Sequence, residues 1–355
     1  MSLKSPNRLW LAALLAGLGA APAAFGVSLE GKLQTSTDLQ TWTDVPISAA
    51  QLNSEGQLIQ DPGTKGFFRL QLTPLPIPAG TSLIPSGSYQ MGDALDNSAN
   101  TAVHTVSVKA CYLEKYEVTK ALWDEVRTWG IAHGYDLPVG VAKSTTDPVN
   151  NYPVHTISWY AVVRWCNARS EKAGLTPPYK VNGETYKTGA TGAVTCDWTA
   201  NGYRLPTEAE WEKAARGGLA GKRFPSGDTL THAQANYVAA NTLFSYDTET
   251  ASGYPAAFNI GEMPYTSPVG SFASNGYGLY DMAGNVAEWC WDLYDSGYYA
   301  SSPINNPTGP ETGAVRVVRG GSWFKYADVS RVANRSIFDP ANGGSDEIGF
   351  RCVLP

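Results

Sequence analysis

Residues 275–289 read NGYGLYDMAGNVAEW, and this stretch decides the fold. Within it, four residues fall at offsets of 0, 3, 5 and 7: Asp281, Gly284, Val286 and Glu288. A glycine inside such a set lets the backbone curl, and the carboxylates at both ends supply oxygen atoms of the kind that a hard cation prefers. The alternative to a cation-binding loop is a simple turn, in which Asp281 caps a helix and Glu288 is held in a salt bridge.

Six further motifs surround this stretch in a fixed order along the chain. They are IPSGSYQMG (84–92), YEVT (116–119), PVHTISW (153–159), GYRLPTEAEW (202–211), RGGSW (319–323) and IGFRC (348–352). Together these motifs resemble those of the formylglycine-generating enzyme family, also called sulfatase-modifying factors, throughout residues 80–355. The resemblance implies an α+β fold similar to C-type lectins, with little regular secondary structure.

The composition agrees with an irregular fold and argues against two classes of protein. Apolar residues make up 43% of the 355-residue chain and charged residues 16%, which excludes a disordered chain. The 36 glycines and 23 prolines indicate that loops take much of the chain. The net charge is −6 and no run is rich in lysine or arginine, so we expect no nucleic-acid partner.

The N-terminal residues 1–26 are typical of a secretory signal peptide. Lys4 and Arg8 precede an apolar stretch over 9–18, and APA at 21–23 offers a small-x-small cleavage pattern. An uncleaved membrane anchor is the alternative, although a membrane span needs roughly 20 apolar residues. We therefore expect a secreted or periplasmic protein, free of the membrane after cleavage, whose cysteines face an oxidising space.

The remaining chain divides into three parts. Alternating patterns at 28–36 and 67–72 predict strands, so residues 27–73 indicate a small β-module. Three prolines within residues 74–79 predict a stiff extended linker. Residues 80–355 form the formylglycine-generating-enzyme-like domain. Within that domain, helix starts are predicted at Thr119, Ser158 and Thr207, the last with a capping box.

Calcium sites follow from the resemblance. The family holds one calcium ion at positions that match Asp281, Gly284, Val286 and Glu288, through two side chains and two backbone carbonyls. A second family site begins at an asparagine that follows an alanine, which corresponds here to Asn236 and Tyr237. Its acidic partner stays open because residues 242–262 diverge, and Asp247 is the candidate.

Catalysis by the family's known chemistry is not expected here. Formylglycine-generating enzymes oxidise a substrate cysteine with oxygen, using copper(I) on two cysteine thiolates just after the Gly-Gly-Ser motif. Here residues 322–331 read SWFKYADVSR, without a cysteine, and Lys325 stands where the first copper ligand is expected. We therefore expect no copper and assign no catalytic residue. Three charged residues that look catalytic in isolation receive a structural role: Arg204, Glu208 and Glu210.

The resemblance also pairs two of the five cysteines. It joins Cys166 to Cys352, while Ala215 and Val332 occupy both positions of a second family disulfide. The alternative is that Cys166 is a buried free thiol on an apolar helix face. Three cysteines remain unassigned: Cys111, Cys196 and Cys290.

These observations lead to one expected function and one alternative. We expect an exported, calcium-stabilised, monomeric protein without the copper dithiolate, acting as a binding or accessory module. Aromatic-rich loops suit recognition of a polypeptide or a glycan, because Tyr and Trp offer rigid amphipathic contact area. The alternative is an oxidoreductase of the formylglycine-generating, sulfatase-maturing type that acts on a protein cysteine through a non-standard site.

Overall fold

The computed structural model describes residues 29–36, 43–45, 67–74, 77–96, 101–143, 151–189 and 193–355. The chain divides into two units, Met1–Pro76 and Ile77–Pro355, with the boundary inside the predicted linker. The predicted signal peptide, residues 1–26, lies outside the described residues. None of the helices within the described ranges is long and apolar enough to span a membrane.

The N-terminal unit contains a three-stranded antiparallel sheet. Its strands are β1 (Leu29–Ser36), β2 (Thr43–Val45) and β3 (Phe67–Pro74), in the order β2-β1-β3. Strands β1 and β3 occupy the two segments in which the sequence predicts alternation. Strand β3 also takes in Pro74, the first residue of the predicted linker, which pairs with Leu29 at the end of the ladder. A proline is tolerated there because a terminal position can lack an N–H donor.

The second unit has three α-helices within the described residues. Helices α1 (Lys120–Ala132), α2 (Trp159–Lys172) and α3 (Glu208–Arg216) begin one residue after the predicted caps. The hydroxyl of each cap accepts a backbone N–H of the first turn, which satisfies a donor that the helix leaves free. Helix α3 has the full capping box and ends at Gly217, whose φ is +56°.

Short strands complete the second unit. They are β4 (Thr81–Ile84), β5 (Gly87–Met91), β6 (His104–Val108), β7 (Cys111–Glu114), β8 (Tyr179–Val181), β9 (Glu184–Thr185), β10 (Thr195–Cys196), β11 (Ala287–Leu293), β12 (Arg316–Arg319), β13 (Ser336–Phe338), β14 (Ile348–Gly349) and β15 (Val353–Leu354). The sheet orders are β13-β12-β11-β14, β15-β7-β4, β10-β8-β9 and β5-β6. Between α3 and β11, the described segment 217–286 contains only isolated bridges and turns.

Tryptophans form the centre of the second unit. The fully buried tryptophans are Trp123, Trp159, Trp165, Trp211, Trp289 and Trp323. Helices α1 and α2 meet through Trp123 and Trp165, whose rings stack at 5.6 Å, while Phe350 packs edge-on against both. Such large rigid rings fill the irregular space between loops that have few backbone ladders.

Candidate functional site

The loop that leads into β11 curls tightly around the backbone of a second loop. Asp281 and Asn285 have positive φ angles of 56° and 60°, and Gly284 has a φ of +76°. A Cβ atom on Gly284 would lie 2.2 Å from the carbonyl oxygen of Asn236, so only glycine fits at this position. Strand β11 then carries Glu288 inward, which brings both ends of the motif into the interior.

Asp281 has one carboxylate oxygen without a partner. Its Oδ2 accepts the Gly270 N–H at 2.6 Å, whereas its buried Oδ1 receives no hydrogen bond from any described residue. Burial raises the pKa of Asp281 to about 6, because the anion loses its hydration. Asp281 therefore caps no helix in this structure. Its free oxygen is of the kind that serves as a ligand to a cation.

Glu288 is already paired. Its Oε1 accepts Arg351 Nη2 at 2.6 Å, and its Oε2 accepts both Arg351 Nε and Trp211 Nε1 at 2.7 Å. This matches the salt bridge of the alternative interpretation of Glu288. Calcium coordination by Glu288 would depend on the second lone pair of Oε1, so that assignment stays a prediction.

Glu117 joins this cluster, and the sequence analysis missed its role. It is buried, and its carboxylate accepts the Val286 N–H at 3.1 Å and Asn285 Nδ2 at 2.7 Å. Burial raises its pKa well above the usual range, and the carboxylates of Asp281 and Glu288 raise it further. The available signal was an acid inside the short apolar motif at 116–119, but nothing in the sequence showed which loop it contacts.

The loop can meet the requirements of a hard cation through main chain and side chain together. The carbonyl oxygens of Gly284 and Val286 accept no hydrogen bond from the part of the chain that the structure describes. No three His, Cys, Asp or Glu side chains of the described residues converge on one metal position, so carbonyls are needed as ligands. The free Asp281 oxygen and the two carbonyls belong to one short loop and are of the oxygen type that calcium prefers, so calcium at this loop stays a prediction.

The predicted second calcium site is only partly assembled. The buried Asn236 Oδ1 has no partner among the described residues, while Asn236 Nδ2 donates to the Tyr265 carbonyl at 2.8 Å. Asp247 accepts the Tyr237 hydroxyl at 2.7 Å and the Ala240 N–H at 2.6 Å. Asp247 thus braces its own loop, and the open oxygen at this site belongs to Asn236.

A groove lies where the resemblance places the copper ligands. Its volume is about 390 Å³, and residues of β11, β12, β13 and β14 line it together with the loop that carries Lys325. Lys325 Nζ lies 3.1 Å from Glu347 Oε2, which also accepts the Ser322 hydroxyl at 2.8 Å. The groove therefore presents a partly exposed ammonium and oxygen acceptors beside the apolar Ile337 and Phe338.

An aromatic surface adjoins this groove, because Lys325 lies between two of its members. The aromatic surface comprises Phe324, Tyr326, Phe244, Tyr254 and Tyr265. Phe244 lies 6.3 Å from Tyr326, whereas Phe324, Tyr254 and Tyr265 lie 5.2 to 5.9 Å from the buried ring of Trp323. Nearly half of the Phe324 and Tyr326 side chains is exposed. Contacts among the rings hold them in place, so little flexibility would be lost on binding a ligand.

The predicted disulfide partners lie side by side in the interior. The sulfur atoms of Cys166 and Cys352 are 3.6 Å apart and both residues are fully buried. That separation is longer than the roughly 2.05 Å of a bond, so the disulfide stays a prediction. Ala215 and Val332 pack in one apolar cluster, where the second family bridge is replaced by apolar contact.

The charged residues of the 202–211 motif have the structural contacts that the sequence predicts. Arg204 forms a bidentate pair with Glu210 at 2.6 and 2.7 Å, and Glu210 also accepts the Thr207 N–H of the capping box. Glu208 pairs with Arg335 at 2.8 Å. Their contacts fix the start of α3 against the surrounding loops.

Comparisons with known proteins show the family of the chain. The family model of the sulfatase-modifying factor enzyme 1-like domain matches residues 73–355. The formylglycine-generating enzyme of Streptomyces coelicolor is 33% identical over 304 residues, covering 77% of this chain and 88% of that protein. The chaperone protein LppX of Paenibacillus barcinonensis is 31% identical over 278 residues, covering 76% and 88%.

Solved structures show the same fold. Treponema denticola variable protein 1 superposes with a TM-score of 0.60 at 28% identity, covering 83% of this chain and 97% of that one. PvdO from Pseudomonas aeruginosa gives a TM-score of 0.54 at 25% identity, covering 77% and 93%. The α+β formylglycine-generating-enzyme fold expected from the motifs is thereby confirmed. The chain belongs to the sulfatase-modifying factor, or formylglycine-generating enzyme, family.

Proposed function

We propose that this chain is an exported, calcium-stabilised member of its family that binds a polypeptide or a glycan and performs no copper chemistry. The observation that carries the proposal is the Lys325–Glu347 ion pair in the groove. An ammonium held by a carboxylate is a poor environment for copper(I), which prefers soft thiolates. The loop 322–331 offers oxygen atoms and aromatic rings but no cysteine.

The aromatic surface supports the binding role. The half-exposed rings of Phe324 and Tyr326, each held by a less exposed ring, give a large contact area at a small entropic cost. The relative from Paenibacillus barcinonensis, 88% of whose length matches this chain, is named chaperone protein LppX. That name supports an accessory role. Calcium at Asp281 would act structurally, by neutralising the buried carboxylates and fixing the loop.

One experiment separates binding from catalysis. The protein from residue 27 onward would be loaded with copper(I), desalted, and assayed for oxygen uptake with a Cys-x-Pro-x-Arg peptide. We expect no retained copper and an uptake rate equal to that without protein. Turnover of the peptide that survives removal of trace metal would reject the binding-module proposal.

A second experiment tests the aromatic surface. Peptide and glycan arrays would be probed with the wild type and with Phe324→Ala, and Leu219→Ala would serve as an exposed apolar control outside that surface. We expect Phe324→Ala to weaken binding about tenfold, because central aromatic contacts carry much of an interface's free energy. An equal loss in Leu219→Ala would argue against a defined surface.

The second candidate function is oxidation of a protein cysteine by a non-standard site. Identity of 33% to a protein named formylglycine-generating enzyme favours it. The oxygen-uptake assay distinguishes the two candidates, because only an oxidoreductase consumes oxygen with the peptide.

A further inference from the structure

A second pocket lies outside the groove and the aromatic surface and shares no lining residue with either. Its volume is about 280 Å³. Five parts of the chain line it: the turn at 108–110, Trp198 after β10, residues 204–210 around the start of α3, the loop 306–308, and Pro355. None of the functions proposed above uses this pocket.

One wall is a rigid, partly exposed indole. Trp198 is 42% exposed, and its ring meets Trp291 edge-on at 5.8 Å. Trp291 in turn stacks on the buried Tyr179 at 5.4 Å, so the exposed ring is the end of an aromatic column that reaches into the core. The turn beneath it is pinned by Asp197, which accepts the Thr199 N–H and is paired with Lys180.

The two charged side chains next to Trp198 in the pocket neutralise each other. The Arg204 guanidinium lies 5.1 Å from the centre of the Trp198 ring and is neutralised by the bidentate contact with Glu210. Thr207 also lines the pocket, but its hydroxyl already caps α3.

Asn306 and Lys109 offer hydrogen-bond donors to the pocket. Asn306 Oδ1 accepts the Lys109 N–H at 2.8 Å, which fixes the side chain and leaves its NH₂ group without an acceptor among the described residues. The exposed Lys109 side chain belongs to none of the ion pairs within the described part of the chain. Donors and an exposed indole that line one pocket suit a ligand with oxygen acceptors and an apolar face.

We propose that the Trp198 pocket binds a hexopyranose ring of a glycan chain. The C–H face of such a ring packs on an indole, while its hydroxyl oxygens accept hydrogen bonds from an ammonium and an amide. A purely apolar ligand would leave these donors without an acceptor, which costs binding free energy. The volume is close to the lower end of small-molecule sites, roughly 300 Å³, and suits a single ring.

The test is a calorimetric titration of the whole exported chain with four defined oligosaccharides. The probes are cellohexaose, chitohexaose, mannohexaose and hexagalacturonate. We expect at least one of them to bind with a Kd below about 1 mM. Binding is expected to be weak because one sugar ring and few hydrogen bonds contribute to it. Trp198→Ala should weaken that binding at least about tenfold, whereas Trp198→Phe, which keeps an aromatic face, should weaken it about threefold.

Controls separate this pocket from the aromatic surface. Lys109→Gln should weaken binding a few-fold, about the effect of one hydrogen bond to a charged donor. Phe324→Ala should leave it unchanged, so failure of the aromatic-surface proposal would not affect this result. The highest probe concentration is about 5 mM, which is about five times the largest expected Kd. If none of the four probes binds at that concentration, the proposal is overturned. Equal binding by wild type and Trp198→Ala, or loss of binding in Phe324→Ala alone, would also overturn it.

Discussion

Asp292 is a fully buried carboxyl group whose surroundings favour its protonated form. Its Oδ2 accepts the Glu208 N–H at the first residue of α3, at 2.8 Å. Burial raises the pKa of Asp292 to about 8, and the carboxylates of Glu208 and Glu210 act in the same direction. Arg335 and the Glu208 N–H oppose this rise without reversing it. A proton bound in the folded state and lost in the unfolded state makes stability depend on pH.

We expect Asp292→Asn to stabilise the folded protein, relative to wild type, by an amount that increases as the pH rises. Between the ordinary pKa near 4 and the raised value near 8, the folded wild type holds a proton that the unfolded chain has lost. Its free energy of unfolding therefore falls with pH, by at most about 1.4 kcal/mol per unit. Asparagine keeps an acceptor for the Glu208 N–H and cannot ionise, so Asp292→Asn should gain about 1 kcal/mol or more over wild type from pH 5 to pH 8.

Urea unfolding at pH 5 and pH 8 measures this gain. Asp228→Asn is the control, because a hydrogen bond from Lys222 lowers the pKa of this exposed carboxyl and moves its titration below the window. A constant difference between Asp292→Asn and wild type across the two pH values would contradict the protonated state.

Lys325 permits a second prediction at the level of single residues. Lys325→Cys alone should not hold copper(I), because its described neighbours Glu347 and Ser322 offer hard oxygen atoms and no second thiolate. Copper content after desalting, compared with wild type, checks this expectation. Stoichiometric copper in the single variant would show that the placement of the 322–331 loop is wrong.

Single residues differ in how far the sequence could place them. Asp281 and Glu288 could be grouped because they share one short motif, whereas Glu117 reaches the same cluster from 164 residues before Asp281. The contact of Glu117 with Val286 exists only after the chain has folded. No local pattern contains that information.

At the level of elements, caps predicted helices well and alternation predicted few strands. Thr119, Ser158 and Thr207 each start a helix, because a hydroxyl that accepts a first-turn N–H is a local interaction. Strands β14 and β15 contain two residues each, too few for the four or more that a period of two needs to be recognised. Their positions depend on partners far away in the sequence.

The predicted disulfide joins helix α2 to the segment that enters β15. We expect the exported protein to contain a Cys166–Cys352 bond, since the sulfurs are already 3.6 Å apart and a small side-chain rotation could join them. The loop closed spans 186 residues, for which chain-entropy models give roughly 4–5 kcal/mol. Reduction should therefore lower the melting temperature, and the Cys166→Ser, Cys352→Ser double variant should match the reduced wild type.

Non-reducing peptide mapping decides the pairing directly. The other cysteines should be recovered in peptides that lack Cys352. Recovery of Cys166 with an alkylated thiol, or joined to any other cysteine, would refute the assignment.

At the level of the whole molecule, buried ion pairs hold together loops that lack extended sheets. Arg351 joins Glu288 across 63 residues, and Arg319 joins Glu212 across 107. Such pairs stabilise only in excellent geometry, because removing one partner leaves a buried charge unpaired. The order of the motifs identified the fold by resemblance. Composition and periodicity alone could not have shown which loops meet, because these ion pairs join residues far apart in the sequence.

Calcium at the Asp281 loop would connect this buried charge to the stability of the whole second unit. A ligand that binds only the folded state stabilises it by about 2.7 kcal/mol at one hundred times its Kd. For a domain of this size, each kcal/mol shifts the melting temperature by about 2–4 °C, so a chelator should lower it by about 5–10 °C.

Asp281→Ala should abolish the response to chelator, because the open Oδ1 is lost. In chelator, Asp281→Ala loses the acceptor of the Gly270 N–H but also relieves repulsion with Glu117, so the decisive quantity is the change on chelation and not the absolute stability. Asp228→Ala, which removes an exposed carboxylate elsewhere, should keep the full response. Calorimetric melting of all three proteins with calcium and with chelator gives the comparison. Superimposable wild-type curves under the two conditions would reject calcium at this loop and leave Glu288 in the role of a salt-bridge partner to Arg351.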